Sequence, residues 1–320
     1  MSRLEITAPD GAPEVEPGDD LVAIVLLMAS LADGDVLVVT SKVVSKAEGR
    51  LRTGTREEAL PGETARVVAR RGETMIVRNH LGLTMAAAGI DNSNVPQGQI
   101  VLLPEDPDAS ARGLRDGLLD RTGVNVGVVV SDTAGRAWRE GQTDIAIGAA
   151  GIVVAEDFAG RRDGYGNELA VTLPAVADEL AGAAELATGK LGGRPFAVVR
   201  GRADLVLPRG EHGRGAAALV RPDGADLFGY GAREAVVRAL RAEVADQRPF
   251  GAPASPTELS AAVRDVVGLV PSHTGAADGA LLVTCPRGLM RALTALTFAH
   301  GWMVHTTDHP NEVRLRPSSG

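Results

Sequence analysis

Two lysines four residues apart, Lys42 and Lys46, follow an apolar run in GDVLVVTSKVVSKAEGR, Gly34 to Arg50. On a helical turn that spacing puts both ammonium groups on one side. Ser41 and Ser45 add hydroxyls, so the segment could surround a polyphosphate. A charged turn after a strand is also common as a plain solvated face, and this cluster alone does not separate the two readings. A second cluster lies in GVVVSDTAGRAWREGQTDIAIGAAG, Gly127 to Gly151, where three valines run into Asp132 and Thr133. A carboxylate at the end of a buried strand is held rigidly yet faces the loop layer, where open α/β sheets place ligands. Carboxylate and hydroxyl oxygens suit a hard cation such as Mg²⁺ or Mn²⁺; the bland alternative is that Asp132 caps a turn. Arg136, Arg139 and Glu140 read as a solvated face or as phosphate contacts, and Asp144 as a site residue or a cap. A third stretch, AAAGIDNSNVPQGQ, Ala86 to Gln99, gathers Asp91, Asn92, Ser93 and Asn94 after small residues. It permits close backbone approach to a ligand and offers a second carboxylate to a metal, while an Asx-turn without a ligand explains it equally.

Standard nucleotide signatures fail. GAAELATGK, Gly182 to Lys190, has too many residues between its glycines for a P-loop and is followed by Leu191 where Ser or Thr should stand. GYGNEL lacks the last glycine of a dinucleotide fingerprint. HTTDH, His305 to His309, has a zinc-compatible spacing on a helix but sits in a strand-like context without the HExxH glutamate, so both histidines read as surface residues.

The elements that must position these clusters follow from hydrophobic period and turn residues. SRLEITA reads as a short strand, followed by the turn-rich DGAPEVEPGDD and a helical LVAIVLLMASLA whose start two aspartates mark. GDVLVVTSK reads as a buried strand, MIVRN and LGLTMAAAGI as a strand pair around Asn79-His80, QIVLLP as a strand, and SARGLRDGLLDRTG as an amphipathic helix. NVGVVVSD is a strand leading into a charged loop, IAIGAAGIVVAE one or two buried strands, and FAGRRDGYGN a loop. LAVTLPAVADELAGAAELATG gives a strand or turn and then a helix, RPFAVVRG a strand and GAREAVVRALRAEVA a helix. The fold class expected is α/β of the mixed α+β kind. No fixed period repeats, which sets a solenoid aside. Three prolines in PFGAPASP, Pro249 to Pro256, mark a linker over 246–256. It divides an expected domain 1–245 from a small C-terminal α/β appendage, 257–320, built of TELSAAVRDVVGLV, GALLVTC, RGLMRALTALTFAHG and WMVHTT.

The whole chain bounds the partners. Its 320 residues, 44% hydrophobic, can fill a sizeable core. Aromatics at 3% leave almost no platforms for stacking bases. A net charge of −8 argues against nucleic acid and against an anionic membrane, so any anionic ligand must be met by local positive charge. The single cysteine, Cys285, excludes an internal disulfide and reads as a small buried hydrophobe. The N-terminal stretch has no apolar signal core, and no run approaches the roughly 18 apolar residues of a membrane span. A cytoplasmic location is expected.

Taken in order, VVTSKVVSKAEGR, AGIDNSNVP, VVVSDTAGRAWREG with AIGAAG, DGYGNEL, VADELAGAAELATGK and AVVRG resemble the coenzyme F420-0:γ-glutamyl ligase family, over roughly residues 3 to 243. The resemblance implies an F420:glutamate ligase-like fold with mixed sheets, in an intertwined homodimer. It also implies a GTP-dependent, metal-dependent ligase that adds L-glutamate to the lactyl carboxylate of the deazaflavin precursor F420-0, with further γ-linked glutamates a possible continuation. Amide formation needs the carboxylate oxygen made a leaving group, which an acyl phosphate supplies; positioning and charge neutralisation then carry catalysis. Carried over by position, metal ligands fall on Asp91, Asp132 and Thr133. Nucleotide contacts fall on Ala12, Pro13, Glu14, Val15, Ser41, Lys42, Lys46, Asn94, and the run Thr188, Gly189, Lys190, Leu191, Gly192, Gly193 and Arg194. Asp132 and Lys46 are the catalytic candidates. Mg²⁺ or Mn²⁺ is the expected ion, with K⁺ a further candidate. Lys190 stands where some relatives place a metal-binding glutamate, which puts a second ion in doubt. A related two-domain protein continues into an FMN-binding nitroreductase-like domain; the tail here is too short for it. A metal-dependent phosphohydrolase or phosphotransferase acting on another small molecule is the alternative, and a non-catalytic nucleotide sensor a third class.

Overall fold

A computed structural model describes residues 3–222, 224–226, 228–274 and 279–318. The chain folds as two compact units, 1–220 and 221–320. In chain order the first holds β1 (Glu5–Thr7), α1 (Leu21–Met28), β2 (Val36–Thr40), α2 (Ser41–Ala47), β3 (Leu51–Thr53), α3 (Arg56–Glu63), β4 (Thr64–Arg71), β5 (Thr74–Asn79), β6 (Thr84–Ala86), β7 (Gln99–Val101), α4 (Pro107–Thr122), β8 (Gly127–Gly135), β9 (Gln142–Ala150), α5 (Val176–Thr188) and β10 (Phe196–Arg200). This is the mixed architecture that the alternation of strand and helix patterns implies.

The central sheet has the order β1-β10-β2-β8-β9. Only β2 and β8 run parallel, with Thr40 opposite Ser131; the other pairings are antiparallel. Because side chains alternate across a strand, VLVV on β2 feeds both faces. Leu37 and Val39 join Val128, Val130, Phe196 and helices α1 and α4, while Val36 and Val38 join Val129, Ala197, Val199 and α5. Burying each such Val or Leu contributes about 1.5–3 kcal/mol, and a sheet covered on both faces accounts for its continuous apolar runs. The small residues of IGAAG have a packing reason: a Cβ on Gly148 would lie 2.3 Å from the Pro107 carbonyl oxygen, where α4 crosses β9. α4 itself starts on Asp106, whose carboxylate accepts from Ala109 N, with Pro107 in its first turn, and ends on left-handed Gly123. At the other side of the sheet Arg200 donates to both oxygens of the buried Asp35, at 2.8 and 2.6 Å, which ties β10 to the start of β2. A three-stranded sheet, β4-β5-β6, and the pair β3-β7 complete the unit.

The second unit contains α6 (Ala232–Arg241), α7 (Pro256–Val267), β11 (Ser272–His273), β12 (Leu281–Thr284), α8 (Met290–Ala299), β13 (Trp302–Thr306) and β14 (Glu312–Pro317), with the antiparallel sheet order β11-β12-β14-β13. Its own core gathers Leu259, Val263, Leu281, Cys285, Leu293, Trp302 and Leu315. The buried Cys285 thus has the bland role that its isolation implied.

The structure draws the division earlier than the proline-rich stretch. Residues 246–256 are packed rather than strung between units: Gln247 donates to the carbonyls of Phe298 and Trp302, Trp302 Nε1 donates to Ala254 O, and Phe250 stacks edge-on between Tyr230 and Phe298. Proline fixes these backbone turns without ending the fold. α6, read from sequence as the end of the first domain, therefore belongs to the second unit. A chain ending at Val220 is expected to unfold in one cooperative transition and to keep its turnover within about threefold. Ending at Ala245 instead keeps α6, whose Val236 and Val237 are exposed even in the whole chain, without its neighbour α8, so that version should be the more aggregation-prone. Melting and light scattering of both chains check this; an unfolded 1–220 chain would show that the division is not a folding boundary. No helix among the described residues is long and apolar enough to cross a membrane.

Candidate active site

The carboxyl ends of β2 and β8, parallel neighbours, lie side by side. Here β2 passes directly into α2, and Ser41, the first residue of that helix, donates from Oγ to Asp132 Oδ1 at 2.8 Å. Lys42 and Lys46 lie one turn apart on α2, as their spacing required. Lys42 Nζ sits 2.8 Å from Asp91 Oδ2 and donates to Ser93 Oγ at 2.7 Å. Lys46, only 5% exposed, donates to the Asn94 carbonyl at 3.0 Å and pairs with the Glu14 carboxylate. Thus the loop 91–94 folds back on α2. It also makes the Asx-turn that its composition allowed: Ser93 N donates to Asp91 Oδ1 at 2.8 Å. Asn94 at φ 54° is of a residue type that tolerates the left-handed region.

A bulge opposite Val130 and Ser131 re-registers β8 against β9 and sets Thr133 across from Asp144. Ser131 and Thr133, two residues apart on one face, donate to the two oxygens of Asp144 at 2.9 and 2.8 Å. Neighbouring Asp132 turns to the other face and to Ser41. The Asp132-Thr133 step therefore divides its two oxygens between opposite faces of the strand end. Lys190, just past α5, donates to Thr133 Oγ1 at 3.1 Å, and Arg194 Nε donates to Asp10 Oδ1 at 2.6 Å.

These groups surround a cavity of about 310 Å³. It brings together Ala12, Pro13, Glu14, Val15, Lys42, Lys46, Asn94, Thr133, Thr188, Gly189, Lys190, Gly193 and Arg194 from the sequence-derived set. Asp91 flanks it through its bond to Lys42, while Ser41 and Asp132 bond each other and adjoin it only as the chain neighbours of the wall residues Thr40, Lys42, Ser131 and Thr133. Leu191 points away, 98% exposed, and Gly192 serves the turn: a Cβ there would meet the Thr188 carbonyl oxygen at 2.6 Å. Ser131 and Glu185 also line the cavity and were not read from sequence, nor was Asp10 as the partner of Arg194. For Ser131 a signal existed, the i, i+2 relation to Thr133; Asp10 and Glu185 carry none.

The electrostatics are uneven. Burial alone would raise the Asp91 carboxyl, but the hydrogen bonds from Lys42 and Ser93 outweigh it and bring its pKa down to about 2. Asp132 behaves oppositely. Burial, with the nearby charges of Asp144 and Asp91, pushes it up to about 7 against the Ser41 hydrogen bond and the Lys42 charge. Converging carboxylates that resist joint ionisation are what a hard cation relieves, and carboxylate and hydroxyl oxygens are its preferred donors. Among the described residues no group of three or more His, Cys, Asp or Glu is close enough to hold an ion unaided. Mg²⁺ sites of one or two carboxylates completed by substrate phosphate fit that limitation. The exposed His305 and His309 lie in the other unit, outside any such group.

Fold and site together define a mixed α/β protein with a cavity lined by Lys42, Lys46, Lys190 and Arg194 at the ends of two parallel strands. A sequence profile of the F420-0:Gamma-glutamyl ligase family matches residues 11–201, wholly within the first unit. A Methanopyrus kandleri protein named Coenzyme F420:L-glutamate ligase is 42% identical over 238 residues, 67% of this chain and 93% of the relative. Proteins of the same name from Archaeoglobus fulgidus and Haloarcula marismortui are 42% and 41% identical, over 62% of this chain and 88% and 87% of theirs. The chain belongs to the F420-0:gamma-glutamyl ligase family.

Proposed function

We propose that the protein joins L-glutamate to the lactyl carboxylate of F420-0 at the expense of GTP, through an acyl phosphate. The observation that carries this reading is the cavity itself: in a chain of net charge −8, Lys42, Lys46, Lys190 and Arg194 converge on one space beside a set of carboxylates. Lys42 and Lys46 would hold phosphate oxygens in place of the Asp91 and Glu14 carboxylates that they now meet. Displacing Asp91 from Lys42 frees it as an oxygen donor. Asp132, fixed by Ser41, presents its carboxylate at the strand end with no backbone movement needed. Asp91 and Asp132 are the proposed holders of one Mg²⁺ or Mn²⁺, and Thr133, on the opposite face of the strand end, of a second, with K⁺ a further candidate; a bound divalent ion would neutralise the charge that develops as phosphate is transferred. Association into a homodimer belongs to the same proposal.

Mass spectrometry of F420-0 incubated with GTP, Mg²⁺ and L-glutamate tests it. A product heavier by one glutamyl group, with GDP released only when glutamate is present, is expected. GDP release without glutamate and without a heavier product would instead point to a phosphohydrolase.

Lys190 sets the number of ions. Its ammonium group already bonds Thr133 Oγ1, so a divalent ion at that hydroxyl meets a positive charge. Calorimetric titration should find at most one tight ion without nucleotide, and Lys190→Glu should tighten a second by about tenfold. Two equally tight ions in the unmodified protein would remove Lys190 from this role.

A further inference from the structure

A second cavity, of about 520 Å³, opens between α3 and the three-stranded sheet, and exceeds the phosphate cavity at about 310 Å³. Its floor is apolar. Leu60, Val67 and Met75 belong to, or pack against, the small core beneath it, and Ala86 on β6 forms one edge. Its rim is polar, with Arg56 and Arg70 beside two glutamates and two threonines. A compact polyanion would meet those carboxylates, whereas a flat body with polar edges would find an apolar floor and hydrogen-bonding groups around it.

Arg56 joins this cavity to the site. Its Nε donates to the Ile90 carbonyl at 3.1 Å and its Nη2 to Asn92 Oδ1 at 3.2 Å, on either side of Asp91. Ala87, also in the wall, precedes Asp91 by four residues, a span of at most about 14 Å. That connection is pinned: Ala87 and Ala88 hold φ of 48° and 57°, a region that favours glycine, and the Asn79 amide donates to the Ala88 carbonyl. The phosphate cavity is itself at the small end of the roughly 300–1,000 Å³ typical of ligand pockets, room for one large reactant.

We propose that the second cavity seats the planar heteroaromatic ring of the carboxylate acceptor, with its anionic arm running past Arg56 to the Asp91 loop. The inference rests on the ligase reading above, and deepens it by giving the deazaflavin a place separate from the nucleotide. Ring burial on the Leu60, Val67 and Met75 floor supplies affinity, and Arg56 and Arg70 favour the negatively charged arm.

Equilibrium dialysis with F420-0, alongside glutamylation kinetics, tests the assignment on Ala86→Trp and Arg70→Glu. Ala86 is exposed on a sheet edge, so tryptophan there fills the cavity mouth without entering a packed core. Arg70 is exposed as well, and reversing its charge leaves the core untouched. Ala86→Trp should raise the Kd and KM for F420-0 by about tenfold, and Arg70→Glu by about threefold, with GTP affinity and melting temperature unchanged. If Ala86→Trp does not fold, Arg70→Glu decides alone. Parental Kd and KM for F420-0 in the folded variants, with product still formed, would overturn the cavity assignment and leave the ligase reading standing. An unmodified protein that forms no glutamyl product and binds no F420-0 would overturn both.

Discussion

Asp132→Asn is expected to fold normally and to lose at least about 1,000-fold in glutamyl-product formation, the scale set by removing a group that stabilises developing charge at a reacting centre. The asparagine keeps the size and can still accept the hydrogen bond from Ser41, so the strand end should stay in place. What disappears is the negative charge. The same substitution has a stability signature of definite sign. Burial and the neighbouring Asp144 and Asp91 raise the Asp132 carboxyl to about 7, above its unfolded value near 4. The folded chain therefore holds this proton more tightly than the unfolded chain does. The resulting stability is fully present below about pH 4 and is lost as pH rises to about 7. Asparagine ionises at no pH, so the variant escapes that loss. In metal-free buffer it should melt closest to the parent near pH 4 and be more stable at pH 8, by about 2 kcal/mol after allowance for solvent reaching this partly exposed residue. Added Mg²⁺ should stabilise the parent and not the variant. Parallel melting profiles from pH 4 to 8 would show that the carboxylates do not oppose one another, and full turnover by the variant would remove Asp132 from the chemistry.

How far such a site can be read from sequence depends on whether its geometry is local. The Lys42 and Lys46 pairing follows from helical period, and the strand that delivers Asp132 from a run of valines ending in charge. Both were legible. The division of Asp132 and Thr133 between two faces is also local, since neighbours on a strand diverge; reading both as oxygens for one cation passes over that alternation. Asp144 faces Thr133 only because of a bulge opposite Val130/Ser131, and nothing in IAIGAAG marks Ile147 as the extra residue. Asp10 meets Arg194 across 184 positions of sequence, beyond any pattern. In the fold, β4 escaped notice because TARVVARR carries charge on a half-exposed strand, and β14, EVRLRP, for the same reason. The proline-rich stretch misled as to the domain division for another reason. Proline reports a fixed backbone angle, and whether that segment hangs free or packs against Trp302 is decided by tertiary contact.

Lys46→Met is expected to weaken GTP binding by about 10- to 100-fold while leaving the melting temperature nearly unchanged. Its aliphatic stem is buried, and methionine preserves that packing without the charge. In the free chain the ammonium group is held by the Asn94 carbonyl and by Glu14, whose side chain is 75% exposed and so returns easily to water when the charge is gone. The folded state therefore loses little. The nucleotide loses a charge-assisted hydrogen bond in a partly enclosed cavity, a contribution of about 1.5–3 kcal/mol, and this sets the expected range. Because one fewer cation meets the phosphates, the remaining affinity should also fall less steeply as salt is raised. Lys42→Met should behave differently. Lys42 bonds Asp91, whose carboxyl it helps hold near 2, so its loss should weaken GTP binding and also raise the Asp91 pKa. Titrating GTP into each variant at two salt concentrations, with chemical-shift titration of Asp91, separates the two lysines. Parental affinity and parental salt dependence in Lys46→Met would place the phosphates elsewhere, and an unmoved Asp91 in Lys42→Met would show that Ser93 alone keeps that carboxylate ionised.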